Sequence, residues 1–138
     1  MSSLELRGDV VILACAVSAG IHGALVTDHF EEGAGAGLGF AAAAALLAAF
    51  AVALTLHPAS VLALIGVAAV FAVLLAGYAL ATTSGLPVLH PHPEPVDGLA
   101  LATKAIEAIG LLAALHALQR KGPLTWAHHG LRAPSRSR

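Results

Sequence analysis

An all-α fold, a four-helix transmembrane bundle with both termini cytoplasmic, is predicted by three features of this 138-residue chain. Its residues are 58% hydrophobic and its mean hydropathy is +0.85, which is more apolar than a soluble domain of this length can be. Its long apolar runs cross about 30 Å of hydrocarbon as helices, and they lack the alternation of a membrane β-strand. Its basic residues cluster at the two ends.

The apolar runs divide the chain into a short N-terminus, a membrane domain and a tail. The predicted spans cover residues 9–29, 36–57, 59–82 and 98–118. Residues 1–8 then form a cytoplasmic N-terminus, residues 9–118 the membrane domain, and residues 119–138 a basic cytoplasmic tail. The apolar core "VVIL" before Cys15 is too short for a cleaved signal, so the first span is expected to stay in the protein.

The placement of charge predicts how the spans are oriented. The basic residues that flank the membrane domain are Arg7, Arg120, Lys121, Arg132, Arg136 and Arg138. By the positive-inside rule these residues lie in the cytoplasm, so the protein is predicted to be a multi-pass protein of the cell membrane. The loops at 28–36 and 83–97, which contain no Lys or Arg, are then external.

The first span ends in an unusual concentration of polar residues. His22 and His29 are seven residues apart and so fall on one stripe of a helix. Acidic residues follow at the predicted outer surface: Asp28, Glu31 and Glu32. In a chain with 11% charged residues, this arrangement indicates one half of a site.

The fourth span supplies the other half. Asp97, Lys104 and Glu107 follow one face of the predicted helix, starting from the same outer side. A charged side chain at the centre of a span costs about 2.5–3.5 kcal/mol in lipid, so these groups are expected to point into the bundle. The sequence therefore predicts a polar pocket between spans one and four, under a proline-rich outer loop that carries His90, His92 and Glu94.

The first interpretation of this pocket is a transition-metal site that serves metal handling or membrane redox chemistry. Imidazole and carboxylate ligands suit copper, zinc or iron, although the spacing matches no specific metal motif. The predicted ligands are His22, His29, Glu107, Asp28, Glu32, His90 and His92. Side chains that would balance the charge or support those ligands are Lys104, Asp97, Glu31 and Glu94. Catalysis is left open.

Two further interpretations fit the same residues. A proton-coupled small transporter or channel would use Glu107, Lys104 and His22 to exchange protons. Alternatively, the Lys104–Glu107 pair only fixes helix packing in a small structural subunit of a larger membrane complex. Small-residue helix faces favour a homo-oligomer or such a complex, the lipid bilayer is the common partner, and no nucleic acid is expected.

The motifs "SAGIHGALVTDHFEE" and "TTSGLPVLHPHPEPVDGLALATKAIEA" resemble those of small four-span membrane proteins of actinobacterial type. Shared features are an Ile-His near the end of span one, an acidic residue with His about seven residues later, and Thr-x-Gly-Leu-Pro at the start of the second outer loop. The resemblance covers roughly residues 15–115. It implies the four-span architecture and draws attention to His22, His29 and Glu107, without naming a reaction.

Overall fold

The computed structural model describes residues 3–86, 93 and 95–121, with side chains for residues 8–86, 93 and 95–120. Five helices follow one another: α1 (Ser3–Ala24), α2 (Val26–Glu32), α3 (Ala34–Leu56), α4 (Val61–Thr83) and α5 (Gly98–Lys121). The all-α prediction is confirmed for this part of the chain. The predicted basic tail beyond residue 121 lies outside the described residues.

The predicted first span is bent. Helices α1 and α2 meet at Leu25 at an angle of 47°, so the stripe that was expected to join His22 to His29 changes direction between them. The Leu25 carbonyl accepts the backbone N–H of His29 at 3.2 Å and also the His29 ring Nδ1 at 2.9 Å. The same contact joins His22 Nδ1 to the Ser18 carbonyl inside the continuous helix α1, so it does not by itself account for the break at Leu25.

The turn between α3 and α4 is as short as predicted. Backbone N–H groups close it, from His57 to the Ala53 carbonyl at 2.8 Å and from Ser60 to the His57 carbonyl at 3.0 Å. The Ser60 hydroxyl accepts the Ala63 N–H at 3.2 Å, which satisfies one of the free donors at the start of α4. Helices α3 and α4 therefore run antiparallel.

The core lies between α1, α3, α4 and α5, and each of these helices contributes buried residues to it. Phe71 is fully buried and lies against Gly110, where an added Cβ would be 2.5 Å from the Phe71 ring and 2.8 Å from the Ala14 methyl. The absence of a side chain at Gly110 thus allows α5 to approach α1 and α4 closely. Other side chains with no exposed surface here are Val11, Cys15, Leu47, Val67 and Ala114.

Three helices are long and apolar enough to cross a membrane: Ala34–Leu56, Val61–Thr83 and Gly98–Arg120, with mean hydropathies of 2.2, 2.6 and 1.7. The pair Gly8–Ala24 and Val26–Glu32 passes the same test as one bent span, which makes up to four among the described residues. Only 22% of each apolar window is buried inside the protein, so most residues of these windows keep some exposed surface. These surfaces suit contact with lipid.

Candidate functional site

A buried carboxylate, Glu107, is the centre of the polar site. Its side chain has 0% exposure, and each of its oxygens has a donor. The Ser18 hydroxyl on α1 donates to Oε1 at 2.9 Å, and the Lys104 ammonium, one turn earlier on α5, donates to Oε2 at 2.7 Å. Because an isolated buried carboxylate is very costly, these two donors explain how Glu107 is tolerated at this depth.

His22 completes what we call the Glu107 cluster, which consists of Ser18, His22, Lys104 and Glu107. The His22 Nδ1 lies 2.9 Å from the Ser18 backbone carbonyl, which can only accept, so Nδ1 carries a hydrogen. The His22 Nε2 faces Glu107 Oε1 at 3.8 Å, beyond hydrogen-bond distance. In a neutral imidazole Nε2 is an acceptor, so two acceptors face each other, and a proton added to Nε2 would provide a donor for Glu107 once the two atoms approach.

Lys104 links the cluster to open space. Its side chain is 16% exposed, and its ammonium lies 5.5 Å from the centre of the Tyr78 ring on α4, within the range of a cation–π contact. An ammonium has three N–H donors, and the hydrogen bond to Glu107 uses one of them. Lys104 therefore keeps donors that can reach a bound molecule.

A cavity of about 740 Å³, which we call the end cavity, lies at the end of the bundle where α1 and α2 meet α3, α4 and α5. His22 and Lys104 are among its lining residues, whereas Glu107 is not. Its walls are mostly apolar, and Glu32 and Asp97 contribute carboxylates. A proton that enters the end cavity thus meets His22 and Lys104 before it can reach Glu107.

An apolar layer lies on the far side of Glu107. Moving away from the end cavity along α1 and α5, the buried residues are Cys15, Ala14, Val11, Gly110 and Ala114. Among the described side chains, the buried polar ones are Ser18, His22, Thr103 and Glu107. No polar group among them continues the cluster through this layer.

The predicted site residues are only partly brought together. His22, Lys104 and Glu107 meet in the Glu107 cluster, as expected from the predicted pocket between spans one and four. His29 is half-buried on α2, where its ring stacks on Phe40 at 3.5 Å between ring centres, while the His22 ring lies 5.2 Å from the same Phe40. Both histidines thus contact one aromatic ring of α3.

The remaining acidic residues lie at the surface of this end of the protein. Asp28 and Glu31 are exposed, Glu32 is exposed and lines the end cavity, and Asp97 accepts the Ala100 N–H at 2.8 Å at the start of α5. His90, His92 and Glu94 lie outside the described residues. Among the residues that the structure describes, no three His, Cys, Asp or Glu side chains form a group that could hold a metal ion. The transition-metal site stays a prediction.

Sequence reasoning missed three residues of the site: Ser18, Phe40 and Tyr78. Ser18 lies four residues before His22, so helical spacing places it one turn away on the same face, and this signal was available. Phe40 and Tyr78 look like ordinary apolar residues of their spans, and only the packing of α3 and α4 brings them to the cavity. The buried Tyr78 hydroxyl has no hydrogen-bond partner among the described residues.

No protein-family model, curated protein or solved structure matches this chain.

Proposed function

We propose that the protein is a proton-coupled membrane carrier, which binds a small molecule in the end cavity and exchanges a proton at the Glu107 cluster as it does so. One observation carries this proposal: Glu107 is fully buried, yet it contacts the titratable Lys104 and faces His22, and both of these line the cavity. Ionisable residues at membrane depth that line a cavity are typical of proton-coupled sites.

The proposed topology has four spans, with α1 and α2 forming one bent span, both termini in the cytoplasm and the end cavity opening outward. The charge pattern supports it, because the basic residues Arg7, Arg120 and Lys121 lie at the opposite end of the bundle from Asp28 and Asp97.

Labelling of single cysteines tests this topology in a Cys15→Ala background. A membrane-impermeant maleimide added to intact cells should label Glu31→Cys and not His57→Cys, since both positions are exposed but lie at opposite ends of the bundle. If only His57→Cys were labelled, the orientation in the membrane would be the opposite of the proposed one.

The geometry supports proton exchange better than metal binding. A metal ion at Glu107 would have to displace the Lys104 ammonium from Oε2 or the Ser18 hydroxyl from Oε1. The Lys104 ammonium, which contacts Glu107 Oε2, would also repel a metal cation bound to the Glu107 carboxylate. A metal site that uses His29 or the outer loop would have to form elsewhere in the end cavity.

The apolar layer favours a carrier over a channel. Protons and solutes need a continuous polar or hydrated path to cross a membrane passively. The buried side chains beyond Glu107 supply none among the described residues. Transport therefore requires a second conformation in which the cluster opens to the other side, which is how alternating-access carriers work.

Infrared difference spectroscopy tests proton exchange directly. Protein in lipid nanodiscs is taken through a series of pH steps, and the C=O stretch of protonated carboxyl groups is recorded. Wild type should show a pH-dependent carboxyl band that disappears in Glu107→Gln and persists in Glu31→Gln, which alters an exposed carboxylate. The double variant Lys104→Met/Glu107→Gln removes both charges together. It replaces Glu107→Gln in this comparison if the single variant fails to fold. Identical bands in wild type and both Glu107 variants would overturn the proposal.

A further inference from the structure

The end cavity continues into a groove between α3 and α4. This groove, of about 350 Å³, shares four of its lining residues with the end cavity: Gly39, Ala43, Val73 and Leu74. Its other lining residues are Ala42, Leu46, Ala69 and Val70, so the whole groove is apolar. We call it the α3–α4 groove. The polar side chains of the end cavity are therefore connected to an apolar groove that faces outward between two spans.

The way α3 and α4 pack explains why a groove forms there. Near their connecting turn the two helices touch closely, because the Phe50 ring lies over Gly66 and leaves no room for a side chain at that position. Further along, small side chains such as Ala43 and Ala69 face the space between the helices. The groove thus opens toward the end cavity, and from there an apolar chain can extend alongside the lipid.

Lys104 supplies the positively charged hydrogen-bond donor at the polar end of this space. Lys104 lines the cavity with N–H groups beyond the one that Glu107 accepts. Tyr78 lines it from α4, and its buried hydroxyl has no partner among the described residues. An acceptor oxygen on a bound molecule would be stabilised by the Lys104 N–H groups that Glu107 does not use.

The charges of the site favour a neutral acceptor. The Lys104 and Glu107 charges already compensate each other at 2.7 Å. The other charged side chains that line the end cavity are the carboxylates of Glu32 and Asp97. An anionic head group would add a further negative charge to this set, whereas a carbonyl oxygen accepts the same hydrogen bonds without doing so.

From these features we propose that the ligand of the end cavity is a neutral lipophilic molecule, with a carbonyl-type acceptor at Lys104 and an apolar chain in the α3–α4 groove. This inference rests on the proposed function, since it identifies the class of molecule that the carrier binds. The chain supplies the buried apolar area, and the carbonyl fixes the orientation of the molecule. Such a ligand reaches the site from within the lipid.

Three probes of equal chain length separate the possible ligand classes: a long-chain methyl ketone, the fatty acid anion and the alkane. A photoreactive ketone is crosslinked to the protein in nanodiscs, and the labelled peptides are identified. We expect saturable labelling of α3 and α4 that unlabelled ketone prevents at concentrations at least about tenfold lower than the alkane requires, since a single hydrogen bond to a charged donor gives a difference of this size. The acid should also compete less well than the ketone, because its charge adds to those of the Glu32 and Asp97 carboxylates.

A substitution in the groove distinguishes this inference from the proposed function. Ala69→Phe fills the α3–α4 groove without touching the Glu107 cluster, and Leu62→Phe places the same side chain on the outward face of α4, where Leu62 is 81% exposed. Ala69→Phe should abolish saturable labelling and keep the Glu107 infrared band, while Leu62→Phe should leave both unchanged. The inference is overturned if no probe binds saturably, if the acid or alkane competes as well as the ketone, or if Ala69→Phe labels like wild type. A missing infrared band would instead contradict the proposed function.

Discussion

Removal of Lys104 should destabilise the protein more than removal of Glu107, although the two residues form one ion pair. Lys104→Met leaves the Glu107 carboxylate in a position with 0% exposure, with Ser18 as its remaining donor. Breaking a buried ion pair in this way costs about 3–5 kcal/mol. Glu107→Gln leaves an ammonium whose side chain is 16% exposed and lines the end cavity, so water can solvate it in part. We expect a smaller loss here, of about 1–3 kcal/mol.

The double variant Lys104→Met/Glu107→Gln should recover most of the lost stability. Replacing both charges together leaves no uncompensated ion, and such replacements are often neutral. The assay is reversible unfolding in mixed detergent micelles, with the helical circular dichroism signal giving the free energy of unfolding. Arg120→Met, which removes an exposed positive charge at the other end of α5, is the matched control and should stay within about 0.5 kcal/mol of wild type.

The double-mutant cycle decides whether the pair acts as the structure indicates. If the two single variants each cost less than about 1 kcal/mol and their effects add in the double variant, then Lys104 and Glu107 do not interact in the folded protein. That result would refute the buried pair, and with it the argument that Lys104 connects Glu107 to the end cavity.

Two further substitutions test the packing and the hydrogen bonding around the site. Gly110→Ala forces Phe71 to move and should lower the free energy of unfolding by about 1–3 kcal/mol in the same assay. Gly20→Ala is its control, because an added Cβ there meets no atom within 4 Å, and it should be neutral or slightly stabilising. Equal losses in the two variants would contradict the close packing at Gly110. Ser18→Ala removes the 2.9 Å donor to Glu107, so it should cost about 1.5–3 kcal/mol and shift the infrared band of the Glu107 carboxyl group. An unchanged band would show that this hydrogen bond does not form.

The helices could be predicted from the sequence because each span is a long, mostly apolar run. The start of α4 at Val61 was close to the predicted residue 59, since Pro58 and Ser60 mark the turn. The bend at Leu25 could not be predicted, because hydropathy and the helical spacing of His22 and His29 continue through this residue without a Pro to mark it.

Part of the candidate site could also be predicted from the sequence. The cost of placing Lys104 and Glu107 in lipid predicted that they turn inward, and their position on one helix face, starting from the same outer side as the polar end of span one, predicted a shared pocket with His22. The positions of Phe40 and Tyr78 could not be predicted, because they depend on how far α3 and α4 rotate and separate. Since Phe40 contacts both His22 and His29, the predicted pairing of the two histidines also depends on that packing.

The most direct test of the account is whether Glu107, without a bound ligand, exchanges protons with the side of the end cavity before it exchanges them with the other side. Protein in vesicles of uniform orientation is given a pH step on the side of the end cavity, or on the opposite side, while the other side is held constant. The account predicts that the Glu107 carboxyl band responds rapidly to the first step, because His22 and Lys104 line the cavity. It should respond more slowly to the second step, because apolar residues lie beyond Glu107 and the second conformation must form first. An equally rapid response to both steps, or a response to the far side alone, would contradict the account.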